Sequence, residues 1–463
     1  MPSNSEPDIL ERMGASTYGP KSFPAIALIV APPVIFYSLL FRSLSVFPFF
    51  DDYNSVLEFL LRWKQESGLG HIVEILTFQH NEYRLIFENA VFATQYTLAG
   101  QTNLKFLSVL GDFFVVPLFL VLCLIWSQGT LPKSRGLMSL VPISWLLFQL
   151  QYAGTMNWSM ASLQNIPALL FVFLSIYLIS TEGRIWRFAV SLLCVGLSVA
   201  SSGSGLFLIP VGGVILFQQR KVKRLWIWLV VGALVCSAYF YKYNFASSRT
   251  HSDHNVLSSI NHLSLPYAAA FLGASAATER TPLTAVALGI ALVVLFVLAT
   301  HDKMYRRNPS LYYSALFLIL AAVGVSGLRS ESGLATSIAS RYRINSALML
   351  ILMYLYLAQK LEHVLFNKTV SKALLSLCWV TLVAFTLISD VAGYKSLLAR
   401  RAKLDAAMLS WQRNGHRVDQ SRKSPNSIPR TFKDNSYYFE PIEPDLTEAI
   451  DAGIYPMPKV GDR

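Results

Sequence analysis

The chain is poor in charge. Only 14% of its 463 residues are Asp, Glu, Lys or Arg, and 53% are hydrophobic; a soluble globular domain carries about 25% charged residues. With a mean hydropathy of +0.44, this excludes an ordinary soluble protein. Cysteine is scarce as well. Cys123, Cys194, Cys236 and Cys378 all sit inside apolar runs, so they read as small buried hydrophobes and not as a disulfide frame or metal site. No repeat of fixed period is visible, and no inverted repeat of the kind many transporters carry. The net charge of +12 comes without a basic stripe or recognisable module, so nucleic acid is not an expected partner. Nor is a cleavable signal peptide expected. Residues 1–22 are polar and mixed in charge, and the apolar run after them is too long for a signal core.

The chain does have apolar runs of the length that crosses a bilayer as helix, about 20 residues each. We read about eleven of them. They centre near Val34, Leu118, Trp145, Leu170, Leu192, Val211, Leu229, Leu288, Phe317, Leu350 and Leu382. The expected fold is therefore an all-α integral membrane protein. Alternate connections are basic: Lys133 and Arg135; Arg184 and Arg187; Arg220, Lys221, Lys223 and Arg224; Lys303, Arg306 and Arg307; Lys360, Lys368 and Lys372. Basic connections mark the cytoplasmic side, which puts the N-terminus inside and the C-terminus outside. The expected organisation is a cytoplasmic segment 1–22, a transmembrane domain 23–390 and an extracytoplasmic tail 391–463. The tail opens with a stretch, Leu397 to Trp411, suited to a surface helix.

The outer face collects the reactive residues. Its first loop, 49–103, opens on Phe49-Phe50-Asp51-Asp52-Tyr53 where the first span ends. Adjacent carboxylates at a membrane boundary need solvent, a partner or a cation. Asp52 or Asn54 can instead cap the helix that follows, and the pair can also supply a general base or metal ligand. Val56 to Trp63 has apolar residues at helical spacing but is too short to span, which suits a helix lying in the interface. His71 to Phe78 looks similar. Gln79-His80-Asn81-Glu82-Tyr83-Arg84 follows. If helical, it puts His80 and Arg84 on one face, with Arg84 toward Glu88; the plainer alternative is an exposed turn with a weak surface ion pair. A late outer loop holds Arg329, Arg341 and Arg343 against the topology bias. Guanidinium groups there suit anionic lipid headgroups or the phosphate of a lipid-linked substrate. Asp112, Gln149, Gln151, Asn157, Gln164 and Asp390 at span ends read as interhelical hydrogen-bonders. His251, Asp253 and His254 are metal-capable but lack a diagnostic spacing.

This order of features resembles the GT-C class of membrane glycosyltransferases. More narrowly it is similar to bacterial membrane proteins with an acidic pair after the first span, a Gln-His-Asn-Glu-His-Arg-like loop motif and a Gly-Arg…Ser-Arg-Tyr pattern before a late span. Here the motif runs from Gln79 to Arg84, with Tyr83 departing from it, and Gly327 to Tyr342 matches the second pattern with Leu328 intervening. The resemblance covers most of the membrane region and not the tail beyond about residue 412. It implies an inverting transfer at the outer face of a bacterial inner membrane. A polyprenyl phosphate or diphosphate would carry the donor sugar, and the acceptor would be an envelope glycan, lipid or protein. Asp51 or Asp52 would be the base. Arg84, Arg341 or Arg343, with Arg329, would meet the phosphate, and His80 and Glu82 would orient the acceptor or help hold a divalent metal. No cofactor is required by that class; a divalent cation, Mg or Mn, is optional. Two rivals stand beside this reading: a transporter or flippase of a lipid-linked precursor, and a non-catalytic membrane subunit. The ionisable residues favour chemistry at one face, because they avoid the span centres that a transporter uses.

Overall fold

A computed structural model describes residues 23–65, 68–80, 83–129, 136–181, 184–244, 263–277, 281–360, 369–413 and 444–457. In chain order the helices are α1 (Phe23–Arg42), α2 (Glu58–Gln65, entered through a π-helical turn Tyr53–Leu57) and α3 (Leu69–Leu76). A small antiparallel hairpin, β1 (Gln79–His80) and β2 (Tyr83–Arg84), leads to α4 (Ile86–Ala99), α5 (Leu104–Phe113), α6 (Val115–Ser127) and α7 (Gly136–Leu147). Then come α8 (Ser159–Ser180), α9 (Ile185–Ser201), α10 (Leu208–Gln218), α11 (Val222–Phe240), α12 (Leu265–Leu272), α13 (Pro282–His301), α14 (Met304–Arg307), α15 (Pro309–Arg329), α16 (Arg343–Lys360), α17 (Thr369–Arg413) and α18 (Asp445–Asp451).

The chain is an all-α multi-pass membrane protein. Seven stretches among the described residues are long and apolar enough to cross a bilayer: α1, Leu104–Ser127, α8, α11, α13, Pro309–Ser332 and Cys378–Arg413. Leu137–Tyr152, Ile185–Ser201 and Gly203–Gln218 are shorter apolar helices. Every expected span centre from Val34 to Leu382 falls inside a helix, the one at Leu350 on α16.

The span α8 is the central post, with 78% of its apolar window inside the protein. The large apolar core forms around it, with Phe173 and Ile176 of α8 against Leu118 and Leu122 of α6, Leu318 of α15 and Leu352 of α16. By contrast α11 and α13 turn Trp226, Leu234, Ile290 and Val297 outward, as lipid-facing helices do. The ends are finished by polar side chains. Asn308 accepts from Leu311 N at 3.1 Å, capping α15, and its amide donates to the α6 carbonyl of Ile125 at 3.1 Å.

A second core sits over the end of the bundle that carries the first long loop. It joins Val56, Leu57 and Leu60 to Phe92 of α4, Trp158, Met408 and Trp411 of α17, and Leu446 and Ile454. The α2 stretch expected to lie on lipid thus turns its apolar face into protein. Burial of each such side chain stabilises by about 1.5–3 kcal/mol, so a short amphipathic helix with protein partners on hand is drawn into a core. The segment 444–457 straps this core. Ile454 O accepts from Thr102 N at 2.7 Å, the Tyr455 hydroxyl donates to Val46 O at 3.0 Å, and Lys64 donates to Ala452 O at 2.5 Å. Helix α17 runs unbroken through residue 390, and its stripe Leu397, Leu404, Met408 and Trp411 is buried.

The motif from Gln79 to Arg84 is a hairpin, with Gln79 opposite Arg84 and His80 opposite Tyr83. The helical possibility for it is therefore corrected: His80 and Arg84 do not share a helix face, and Arg84 does not turn to Glu88. Its guanidinium donates to Thr77 O at 2.7 Å and to Tyr241 O. Those carbonyls lie at the ends of α3 and α11, where helices leave acceptors without intrahelical partners.

Candidate active site at the loop end of the bundle

Phe50 bends the chain at the acidic pair. Its φ is 49°, a left-handed conformation that is an outlier for a bulky residue and of the kind that clusters at sites held by their surroundings. The bend sends the two carboxylates to different fates. Asp52 is 2% exposed and anchors the loop to the bundle: its oxygens accept from Phe49 N at 3.1 Å and from Met160 N, at the start of α8, at 3.0 Å. It makes no helix-cap bond. Burial pushes Asp52 up to about 7, while the two backbone donors and the Arg400 guanidinium pull the other way. Asp51 keeps 15% of its side chain exposed. Its Oδ1 lies 4.0 Å from Nε2 of His80, and that nitrogen is buried without a hydrogen-bond partner among the described residues.

Arg400 on α17 is the residue that sequence reasoning missed. Its guanidinium donates to Ala153 O at 2.7 Å and Met156 O at 2.9 Å, and stacks over the Phe49 ring at 4.7 Å. It acts electrostatically on both Asp52 and Asp112. The signal was present: Arg400 stands in the stripe Leu397, Leu404, Met408, Trp411, where an uncompensated cation has no reason to be.

The turn 149–158 is where the bundle and the site are tied together. Leu150 N donates to Asp390 at 2.8 Å, Gly154 N to Ser340 at 2.8 Å and Asn157 N to Asp112 at 3.1 Å. The Asn157 amide reaches Leu40 O at 3.2 Å and Ser43 at 2.9 Å, and Gln151 reaches Ser275 O at 2.7 Å. These side chains act between elements, as their positions at span ends suggest, with two differences. The Gln149 amide bonds only locally, to Leu146 O, and Gln164 Nε2 is buried without a partner among the described residues. Close approach is needed as well: a Cβ on Gly393 would lie 2.1 Å from Leu150 O.

The arginines fall into a second group. Arg329 hydrogen-bonds the Tyr83 hydroxyl and lies 5.7 Å over its ring. Arg329 and Arg341 both act on the Tyr267 phenol, which hydrogen-bonds Thr336 at 3.1 Å. Arg341 lies over Tyr342 at 5.1 Å, and its Nε is buried without a partner among the described residues. Arg343 donates to Ile338 O at 3.2 Å. His80, near Asp51, and Tyr83, which hydrogen-bonds Arg329, are direct cross-strand partners in the hairpin. Arg84 holds backbone instead. Glu82, His251, Asp253 and His254, together with Lys133, Arg135 and Lys368, lie outside the described residues. Among the described residues no group of three or more His, Cys, Asp or Glu is placed to hold a metal ion.

No family model matches the chain, and no curated protein matches it. Among solved structures it is similar to the archaeal oligosaccharyltransferase AglB from Archaeoglobus fulgidus, in complex with an inhibitory peptide and a dolichol-phosphate. The identity is 12% and the TM-score 0.42, over 89% of this chain. The chain spans 62% of that protein's chain.

Proposed function

We propose that the chain is a GT-C-like glycosyltransferase of a bacterial inner membrane, acting at its outer face. It takes a sugar from a polyprenyl-linked phosphate or diphosphate to a hydroxyl of an envelope acceptor, with Asp51 as the base. The observation that carries this reading is the gap between Asp51 Oδ1 and His80 Nε2, 4.0 Å. It is too wide for a direct hydrogen bond. A single hydroxyl oxygen about 2.8 Å from each atom fits both.

An alcohol is a poor nucleophile until a positioned base takes its proton. Asp51 accepts that proton. The oxygen lone pair bonds the anomeric carbon from the side opposite the leaving group. The carbon–oxygen bond to the lipid phosphate breaks, and its electron pair stays on the phosphate. Arg329 and Arg341, beyond the hairpin, offset that negative charge; preformed cations in a dry site are an effective way to do so. Asp52 holds the loop in place for Asp51 and, at 2% exposure, is given the anchoring role and not the proton transfer. None of these steps is routed through a divalent cation, which the class treats as optional.

The test compares envelope glycans and lipid-linked sugars by mass spectrometry in a deletion strain, the restored wild type and a restored Asp51→Asn strain at matched expression. Loss of one glycan with build-up of its lipid-linked donor, in both the deletion and Asp51→Asn, is the expected result. A wild-type profile from Asp51→Asn sinks the proposal and moves the transporter and subunit readings ahead.

A further inference from the structure

A cavity of about 320 Å³ opens inside the first loop. The π-helical turn and α2 form one wall, α3 and Phe78 another, and β1 with the start of α4 the floor. Its size is at the low end for small-molecule sites, about 300–1,000 Å³. We infer that this cavity binds a neutral, hydroxyl-rich sugar ring, the part of the acceptor that is presented to Asp51. The inference rests on the transferase reading above and adds the class of acceptor.

The lining excludes the other obvious ligands. Arg62 is the cation in the wall, and it is already engaged, ion-paired with Glu58 one turn back and packed 4.5 Å over the Phe78 ring. The pair cancels, so no permanent cation remains to attract a phosphate; the other basic groups in the lining are the imidazoles of His71 and His80. Glu74 adds one carboxylate, which disfavours any anion further. A purely apolar ligand is disfavoured by Asn54, Glu74 and His80 around the cavity, since their polar atoms would be buried without partners.

A sugar answers each of these features. Its hydroxyls both donate and accept, which matches a carboxylate, an amide and an imidazole at once. Asn54 uses its amide nitrogen on Asp445 at 3.3 Å, which leaves its carbonyl oxygen to accept. Phe78 is 47% exposed at the rim and so offers apolar surface to the C–H face of a ring. His80 lines this cavity and also stands 4.0 Å from Asp51, so a ring seated in the cavity can extend one hydroxyl past His80 to the base.

The experiment is saturation-transfer NMR on the purified full chain in nanodiscs, with a panel of methyl glycosides of neutral hexoses, pentoses and N-acetylhexosamines, and inorganic phosphate as competitor. At least one glycoside should receive saturation, and Phe78→Ala and Glu74→Gln should each weaken it about tenfold, the scale of one lost contact. Phosphate should not compete. No transfer to any glycoside, transfer indifferent to both variants, or displacement by phosphate overturns the inference. The two readings separate on Asp51→Asn. If that variant loses the glycan product while no glycoside binds, the cavity inference falls and the transferase stands. If it keeps the product while the cavity still binds glycosides through Phe78 and Glu74, the transferase reading falls alone.

Discussion

Replacing Arg400 by Met should be among the most damaging single changes at this end of the molecule. Met keeps most of the apolar stem, so packing losses are small and the effect isolates the guanidinium. Three things go with it. The carbonyls of Ala153 and Met156 lose donors at 2.7 and 2.9 Å, and a charged hydrogen bond contributes about 1.5–3 kcal/mol. The stack over Phe49 at 4.7 Å is lost, about 0.5–2 kcal/mol. Asp52 and Asp112 lose the cation that faces them. These losses are not additive, because the turn 153–156 can relax. A buried charge deprived of its partner costs about 3–5 kcal/mol, and we expect that range. The assay is reversible unfolding by SDS titration in mixed micelles, run as a cycle with Asp52→Asn and the double variant. A coupling of about 1–3 kcal/mol is expected between them, since the neutral side chain needs the cation less. Arg400→Lys should recover only part of the loss, because an ammonium cannot fork to two carbonyls. A cost below about 1 kcal/mol for Arg400→Met, or strict additivity in the cycle, would refute the claim that Arg400 holds the acidic loop electrostatically.

Two further outcomes follow from the same geometry. The Asp52 carboxyl is raised to about 7 by burial, so the folded state holds its proton over a range where the unfolded chain has lost it; stability from this group is fullest below about pH 4, falls as pH rises to about 7 and is flat above. Thermal unfolding of the wild type against Asp52→Asn over that window should show the difference shrinking with pH, and a difference that grows or stays constant would contradict it. Gly393→Ala should destabilise by about 1–3 kcal/mol, because the new methyl meets Leu150 O at 2.1 Å and the close approach that aligns Asp390 with Leu150 N has to open; a variant as stable as wild type in the same SDS titration would show that α17 can shift freely.

The spans were legible because hydrocarbon thickness imposes one length and one polarity on every crossing helix. Each expected centre from Val34 to Leu382 is helical for that reason. The hairpin was not legible. Gln79 to Arg84 has neither a period of 3.6 nor a clean alternation, and its conformation is fixed from outside, by Tyr241 O on Arg84 and Asn244 O on Gln79 at 2.9 Å. The apolar face of α2 was visible, but a hydrophobic stripe does not say whether lipid or protein will cover it. That was decided by Trp411 and Ile454, more than three hundred residues downstream.

The acidic pair shows where such reading stops. Asp51 and Asp52 are the same residue type at adjacent positions, so composition and spacing give them one role between them. The left-handed turn at Phe50 and the N–H of Met160 separate them, and neither is written near the pair in the sequence. The same holds for the turn 149–158, whose polar groups are met by Asp112, Asp390, Ser340 and Arg400 from three different helices or turns. In a bilayer the backbone of a turn finds little water to satisfy it, so the donors and acceptors that its own backbone bonds leave open are met by side chains. A charged residue inside an apolar stripe near a span end, as Arg400 is, is therefore the sequence mark of a turn that it serves elsewhere, and searching for such residues finds the anchors of a site before its catalytic groups.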